Sequence, residues 1–242
     1  MDSLSGKKVV VTGGGTGIGA GIAGALAAAG CHVVIGGRRQ SALDQVCETI
    51  QANIHGHVLD VACRDSVRSF FQFVGQTIGS ADILVNSAGV NIVNRTMAAM
   101  RPEDWDRLLQ VNATGTYNCM LHVLPEMRQR GDGLIVNISS IAGKRAASLG
   151  GIAYCASKFA MTALGTAVSN EVRQEGVRVT NVYPGEVNTP ILDNRPTPVS
   201  DQHKAAILQP EDVAAMVVAV CRLPPRAHVP EIVIKPTIQE WL

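Results

Sequence analysis

The run Lys8-Val9-Val10-Val11-Thr12-Gly13-Gly14-Gly15-Thr16-Gly17-Ile18-Gly19 decides the fold of this chain. Three consecutive valines read as a strand buried on both faces, because a half-exposed strand would alternate apolar with polar residues. The glycines mark a tight turn, and from Ile18 to Ala29 the apolar residues recur at helical spacing. A strand, a glycine turn and a helix start aim several backbone N–H groups at one point, with the positive end of the helix dipole behind them. Such a cradle suits a pyrophosphate, and Gly13, Thr16, Gly17, Ile18 and Gly19 are the residues expected to border it.

Working outward, the same rhythm repeats along the chain. Strands are expected at His32–Gly36, His57–Leu59, Ile83–Asn86, Gly133–Ser139, Val177–Tyr183 and Glu231–Lys235. Helices are expected at Ser41–Ala52, Val67–Ile78, Pro102–Met127, Ala153–Gln174 and Pro210–Arg222. Strands alternating with helices predict a single α/β domain over residues 1–242, a doubly wound parallel sheet of about seven strands with helices on both faces. The sequence has no internal repeat, low-complexity block or linker. One long irregular stretch, Thr189 to Gln209, contains Pro190, Pro196 and Pro198. It follows the strand ending at Tyr183, so it is expected at the carboxyl edge of the sheet, where such folds bind ligands, as a substrate loop.

The end of the second strand bears on which dinucleotide fits. A site for a ribose 2′-hydroxyl carries a carboxylate there, whereas this chain has Gly36-Gly37-Arg38-Arg39. No acid repels a 2′-phosphate, and two guanidiniums stand ready to hold one, so NADP(H) is preferred over NAD(H).

Tyr154 and Lys158, in Tyr154-Cys155-Ala156-Ser157-Lys158, lie four residues apart and so share one helix face. A phenol with a reference pKa near ~10 needs a neighbouring cation to act as a base at neutral pH. At about 4 Å and an effective dielectric of ~20, a unit charge is worth about 4 kcal/mol, enough to make the pair a candidate acid/base couple. Taken alone, the spacing fits a solvated surface pair better than a catalytic one.

Together these residues resemble the short-chain dehydrogenase/reductase family in its NADP-preferring form, and the resemblance extends over nearly the whole chain. The family's Thr-Gly-x-x-x-Gly-x-Gly pattern is met by Thr12, Gly13, Gly17 and Gly19. Its adenine-binding Asp-Val element is matched by Asp60-Val61, and its Asn-Asn-Ala-Gly motif is similar to Asn86-Ser87-Ala88-Gly89, with Ser at the second place. Asn112, in Leu109-Gln110-Val111-Asn112-Ala113, resembles the catalytic asparagine. In Ile138-Ser139-Ser140-Ile141-Ala142-Gly143 the serine three residues before the glycine is Ser140, which takes the catalytic place, leaving Ser139 as a turn residue. Pro184-Gly185, with Val187 and Thr189, resembles the segment beside the nicotinamide carboxamide. The Ser140–Tyr154 interval is one residue longer than the family pattern implies, which points to an insertion in 144–151.

The resemblance implies a Rossmann-like fold and hydride transfer between the nicotinamide and a carbonyl or secondary alcohol, as in carbonyl reductases and 3-oxoacyl reductases. It gives Tyr154 the proton transfer and Ser140 the hydrogen bond to the substrate oxygen. Lys158 is to lower the Tyr154 pKa and bond the nicotinamide ribose, so that Tyr154 and Lys158 also touch the cofactor. Asn112 is to hold a relay water. The closing Pro230–Pro236 segment lacks the Asp-Gly-Gly-like ending of the acyl reductases. A catalytically inactive NADPH-binding regulatory or scaffold protein is the alternative, opposed by the intact set of four residues. A hydrolase using Ser140 lacks the expected Gly-x-Ser-x-Gly elbow.

With 21 basic and 20 acidic residues the formal net charge is +1. No field draws the chain to nucleic acid or an anionic membrane surface. The polar start, without an apolar signal segment or membrane span, makes the cytoplasm the expected location. Six scattered cysteines without Cys-x-x-Cys spacing read as reduced structural thiols. His55 and His57 have metal-like spacing but no third ligand, so no metal site is expected. Lys144 and Arg145 read as a solvated loop or as contacts to an acidic substrate, and Glu186 as facing either substrate or solvent. Segments Thr114–Met127 and Tyr154–Gln174 carry more apolar and small residues than one buried stripe needs, among them Met120, Leu121, Leu124, Ala160, Ala163, Leu164 and Ala167. In the family these helices pair between subunits, which implies a homotetramer or homodimer.

Overall fold

The computed structural model describes residues 3–51 and 53–240. Strands β1 (Lys8–Thr12), β2 (His32–Gly37), β3 (Ile54–Val58), β4 (Ile83–Asn86), β5 (Gly133–Ile138), β6 (Val177–Pro184) and β7 (Glu231–Ile234) form one sheet in the order β3-β2-β1-β4-β5-β6-β7. Every neighbouring pair is parallel. Period-two alternation sorts the side chains: Val9, Val11, Ile83 and Val85 enter one core, and Val10 and Leu84 the other. Helices α1 (Gly17–Ala28), α2 (Gln40–Ile50) and α8 (Pro210–Cys221) serve the first core, through residues such as Ile22, Leu43 and Val217. Helices α3 (Arg64–Thr77), α5 (Gly115–Arg130) and α6 (Ile152–Val172) serve the second, through Phe70, Met120, Met127 and Val172. The Rossmann-like doubly wound sheet is therefore as expected, and between β1 and β4 the strand order reverses, the crevice where such sheets bind ligands.

Two expectations change and one is left open. Strand β3 covers Ile54–Val58 rather than His57–Leu59, because it pairs only with β2 and, at the sheet edge, accepts the polar His55 and His57. The expected end of the second helix at Ala52 lies outside the described residues. The predicted Pro102–Met127 helix is α4 (Pro102–Leu109), a π-helical turn over Gln110–Thr114, and α5. The widened turn carries Asn112, whose side chain is held on two sides, and π-turns of this kind recur at functional sites.

The stretch from Thr189 to Gln209 is not irregular throughout. A 3₁₀ turn spans Pro190–Asn194, and α7 (Asp201–Ala206) begins where the Ser200 hydroxyl accepts from the His203 N–H. Proline fits the first position of a helical turn because its missing N–H would have no partner there. Both ends of the excursion are tied together, since Asn188 N–H donates to Leu208 O and Leu208 N–H to Glu186 O.

Candidate active site

A cavity of about 770 Å³ opens at the carboxyl ends of the strands. One end is built from backbone. The turn after β1 places Gly13, Thr16, Gly17, Ile18 and Gly19 on its wall. Gly13 has φ +69, and a Cβ there would lie 2.8 Å from the Ala88 backbone; one on Gly19 would lie 2.3 Å from the Gly13 carbonyl oxygen. The Thr12 hydroxyl accepts from the N–H groups of both Ser87 and Ala88, at 3.2 Å each, and so fixes the β1 and β4 turns against each other. This cradle, open only because side chains are missing, fits a dinucleotide pyrophosphate.

Arg38, Arg39, Asp60, Val61, Ala88, Gly89, Pro184, Gly185, Val187 and Thr189 line the same cavity. Arg38 and Arg39 are exposed, and neither pairs with a carboxylate among the described residues. Asp60 accepts from the Ala62 N–H at 3.0 Å, which shapes the turn after β3. Asn86 departs from expectation. It is buried and off the cavity wall, because the sheet register sets Asn86, Asn137 and Asn181 side by side on three strands and their amides bond in a chain.

Ser140, Tyr154 and Lys158 line the same cavity. Ser140 follows β5 and its Oγ accepts from the Ala142 N–H at 3.1 Å. Ser139 also borders the cavity, but its hydroxyl is bonded to Lys158 O and Thr162. Burial raises the Tyr154 pKa, against which act a hydrogen bond with Ser140 and the charge of Arg95. Lys158 is buried beside Tyr154. Its Nζ donates to Ile138 O at 2.8 Å and stands 5.7 Å from the Tyr154 ring centroid. Burial pushes this ammonium down to about 8.

Asn112 is fully buried and not on the cavity wall. Its Oδ1 accepts from Val90 N–H at 2.8 Å, while Nδ2 donates to Val90 O at 3.0 Å and to Ser157 Oγ at 2.9 Å. Both amide protons are thus committed, and the side chain staples the loop after β4 to helix α6.

The other end of the cavity is built from charged side chains. Glu186 lines the cavity, where it accepts from Arg195 and bonds His203, each at 2.9 Å. Burial works to raise its pKa, but the bonds from His203 and Arg195 prevail and hold its carboxyl below the usual range. Lys144 is paired with Glu231 and lies 4.5 Å over the Tyr183 ring, so the solvated-loop reading does not hold for it. Two cavity residues escaped the sequence reading. Gln239 accepts the Glu186 N–H from a segment far along the chain, and Arg95 sits in the loop before α4 with no motif around it.

His57 stacks on Phe73 at 4.3 Å, and among the described residues no group of three or more His, Cys, Asp or Glu is placed to hold a metal ion. All six cysteines are free, with Cys119 and Cys221 pushed up to about 12 by burial. Among the described residues, no helix is long and apolar enough to cross a membrane.

Against known proteins, the family model for short chain dehydrogenases matches residues 7–199. The chain is 33% identical over 240 residues to an uncharacterized oxidoreductase of Staphylococcus saprophyticus, covering 98% of this chain and 100% of that one. It is 37% identical over 241 residues to the glycine betaine reductase ATRR of Emericella nidulans, covering 96% of this chain but 19% of the fungal protein. A serine dehydrogenase solved in its closed form with NADP+ superposes with a TM-score of 0.88 at 29% identity, over 97% of this chain and 96% of that one. The chain belongs to the short-chain dehydrogenase family of oxidoreductases.

Proposed function

We propose that this protein transfers hydride between NADP(H) and a carbonyl or secondary alcohol substrate. The observation that carries the reading is that Ser140, Tyr154 and Lys158 meet in one cavity whose other end is the glycine cradle. When bound, the nicotinamide dinucleotide supplies or accepts the hydride. Gly13, Thr16, Gly17, Ile18 and Gly19 hold its pyrophosphate, Asp60 and Val61 its adenine, and Ala88, Gly89, Pro184, Gly185, Val187 and Thr189 the remainder. Arg38 and Arg39, free of carboxylate partners, favour the 2′-phosphate of NADP(H) over NAD(H); the serine dehydrogenase bound to NADP+ agrees with this.

Within the chain, Tyr154 donates its proton to the developing alkoxide in reduction and recovers it in oxidation. Ser140 bonds both the phenol and the substrate oxygen, a preorganised donor where charge builds up. Lys158, already desolvated, holds the Ile138 carbonyl in this structure and in the proposed complex bonds the ribose. Asn112 positions α6 through Ser157, and its expected relay water would have to meet its one remaining acceptor lone pair or its backbone.

The surface agrees with a homodimer or homotetramer. On α5 and α6, Tyr117, Leu121 and Phe159 are 43%, 54% and 42% exposed, and Ala160, Ala163 and Ala167 are exposed beside them. Met120, expected in that surface, belongs to the core instead, and Leu124 and Leu164 pack against the core. The cytoplasm remains the proposed location.

The test follows reduced-nicotinamide absorbance with NADPH and NADH over ketones, aldehydes and 3-oxoacyl thioesters. Tyr154→Phe is expected to lower turnover by about 10³-fold while NADPH binding stays within about twofold. Turnover surviving that substitution would remove Tyr154 from the proposed role, and tight NADPH binding without any turnover would support a regulatory module instead.

A further inference from the structure

Arg95 is a buried guanidinium without a carboxylate partner among the described residues. It is 6% exposed and lies on the cavity wall. Its Nε–H donates to Ile92 O at 2.9 Å, one terminal nitrogen to Leu149 O at 2.6 Å, and the other to Asn194 O. Those three carbonyls belong to three separated segments, the loop after β4, the loop before α6 and the 3₁₀ turn after β6. Its backbone is fixed too, since Ile152 N–H at the start of α6 donates to Arg95 O, and only the missing Cβ of Gly151 leaves room for the arginine stem.

Three of five N–H groups are used, which leaves one on each terminal nitrogen. Carbonyl dipoles share the positive charge without cancelling it, and a guanidinium does not shed its proton. The surroundings add charge of the same sign: Arg195 stands near enough to act on Arg95, and its carboxylate partner Glu186 is shared with His203. An uncompensated buried charge is costly unless something bound beside it answers it. The cofactor phosphates belong to the glycine end, not to this wall. The charge does reach the reacting end, because Arg95 acts electrostatically on Tyr154.

Resting on the oxidoreductase reading, we infer that the substrate carries a carboxylate, which Arg95 receives while Ser140 and Tyr154 hold the carbonyl or hydroxyl oxygen. Short oxo acids and their hydroxy acid counterparts are the substrate class. Apolar Ile141, Leu149 and Ile191 on the same wall would enclose the carbon chain between the two polar ends.

The test compares 2-, 3- and 4-oxo acids with their methyl esters, each with NADPH, in the wild type, Arg95→Lys and Arg95→Gln. The wild type should favour one of the acids over its ester by at least about 30-fold in kcat/KM; Arg95→Gln should bring that ratio near unity, and Arg95→Lys should retain most of it. NADPH fluorescence titration, expected unchanged within about twofold, checks that the variants are folded. A purely structural staple would weaken acid and ester alike, so an unchanged ratio in Arg95→Gln, or no acid preference in the wild type, overturns the inference and leaves the oxidoreductase reading standing. Equilibrium binding to the NADP+ complex separates the opposite case. If the acids bind in preference to the esters through Arg95 but nothing turns over, the anion site stands and the oxidoreductase reading falls.

Discussion

The two ends of the cavity are built from different materials. At the cofactor end, the wall is backbone and missing side chains: Gly13, Gly19 and the Ala88 backbone approach so closely that a single Cβ does not fit. At the substrate end, side-chain charge brings together segments distant in sequence, with Glu186 bonding Arg195 and His203, and Arg95 bonding three carbonyls. The first design is rigid and sterically unforgiving. The second is held by side-chain bonds between loop segments outside the sheet.

If that contrast is right, substitutions at the two ends fail in different ways. Gly13→Val should have the largest effect. It forces a branched residue to φ +69 and drives a Cβ into the Ala88 backbone, so NADPH binding should be lost and the protein destabilised by about 2 kcal/mol or more in thermal or urea unfolding. Near-native NADPH affinity in this variant would break the claim that the cofactor end tolerates no added atoms.

Arg38→Asp tests charge at that same end, with a smaller expected effect. The ratio of kcat/KM with NADPH to that with NADH should fall by about 10- to 100-fold, with the fold intact. A ratio that does not move would assign the 2′-phosphate to Arg39 or to neither.

Glu186→Gln should be milder still, raising KM several-fold while changing kcat less, because the Pro190–Asn194 turn loses ion pairs but keeps its backbone ties at Leu208. The pH dependence has a definite sign. Glu186 is held below the usual carboxylate range, so its contribution is present above the unfolded pKa and is lost as pH falls through the folded one. Wild-type stability should therefore decline more steeply in acid than that of Glu186→Gln. Parallel acid-unfolding profiles for the two proteins would show that this ion-pair cluster is not what holds the loop.

The sequence reading fared differently at the two ends for the same reason. The glycine run, the Ser140, Tyr154 and Lys158 set and the Pro184-Gly185 turn were legible because each needs a particular residue type at a fixed spacing on its own element. Asn86 was misplaced because nothing local reveals that Asn137 and Asn181 will stand beside it across the sheet. Lys144 looked solvated because its partner Glu231 lies far along the chain. Arg95 carried no signal at all, being one arginine in a loop whose three carbonyl partners are contributed by residues 92, 149 and 194.

By itself, the sequence determined the parallel sheet, the crevice at its carboxyl edge and the chemistry gathered there, because hydrophobic period, backbone sterics and helix spacing act over a few residues. Only the tertiary structure decided how that crevice is closed and what charge faces a substrate. Those interactions act through space between segments up to about a hundred residues apart, where pairing depends on the folded path of the chain rather than on neighbouring residues.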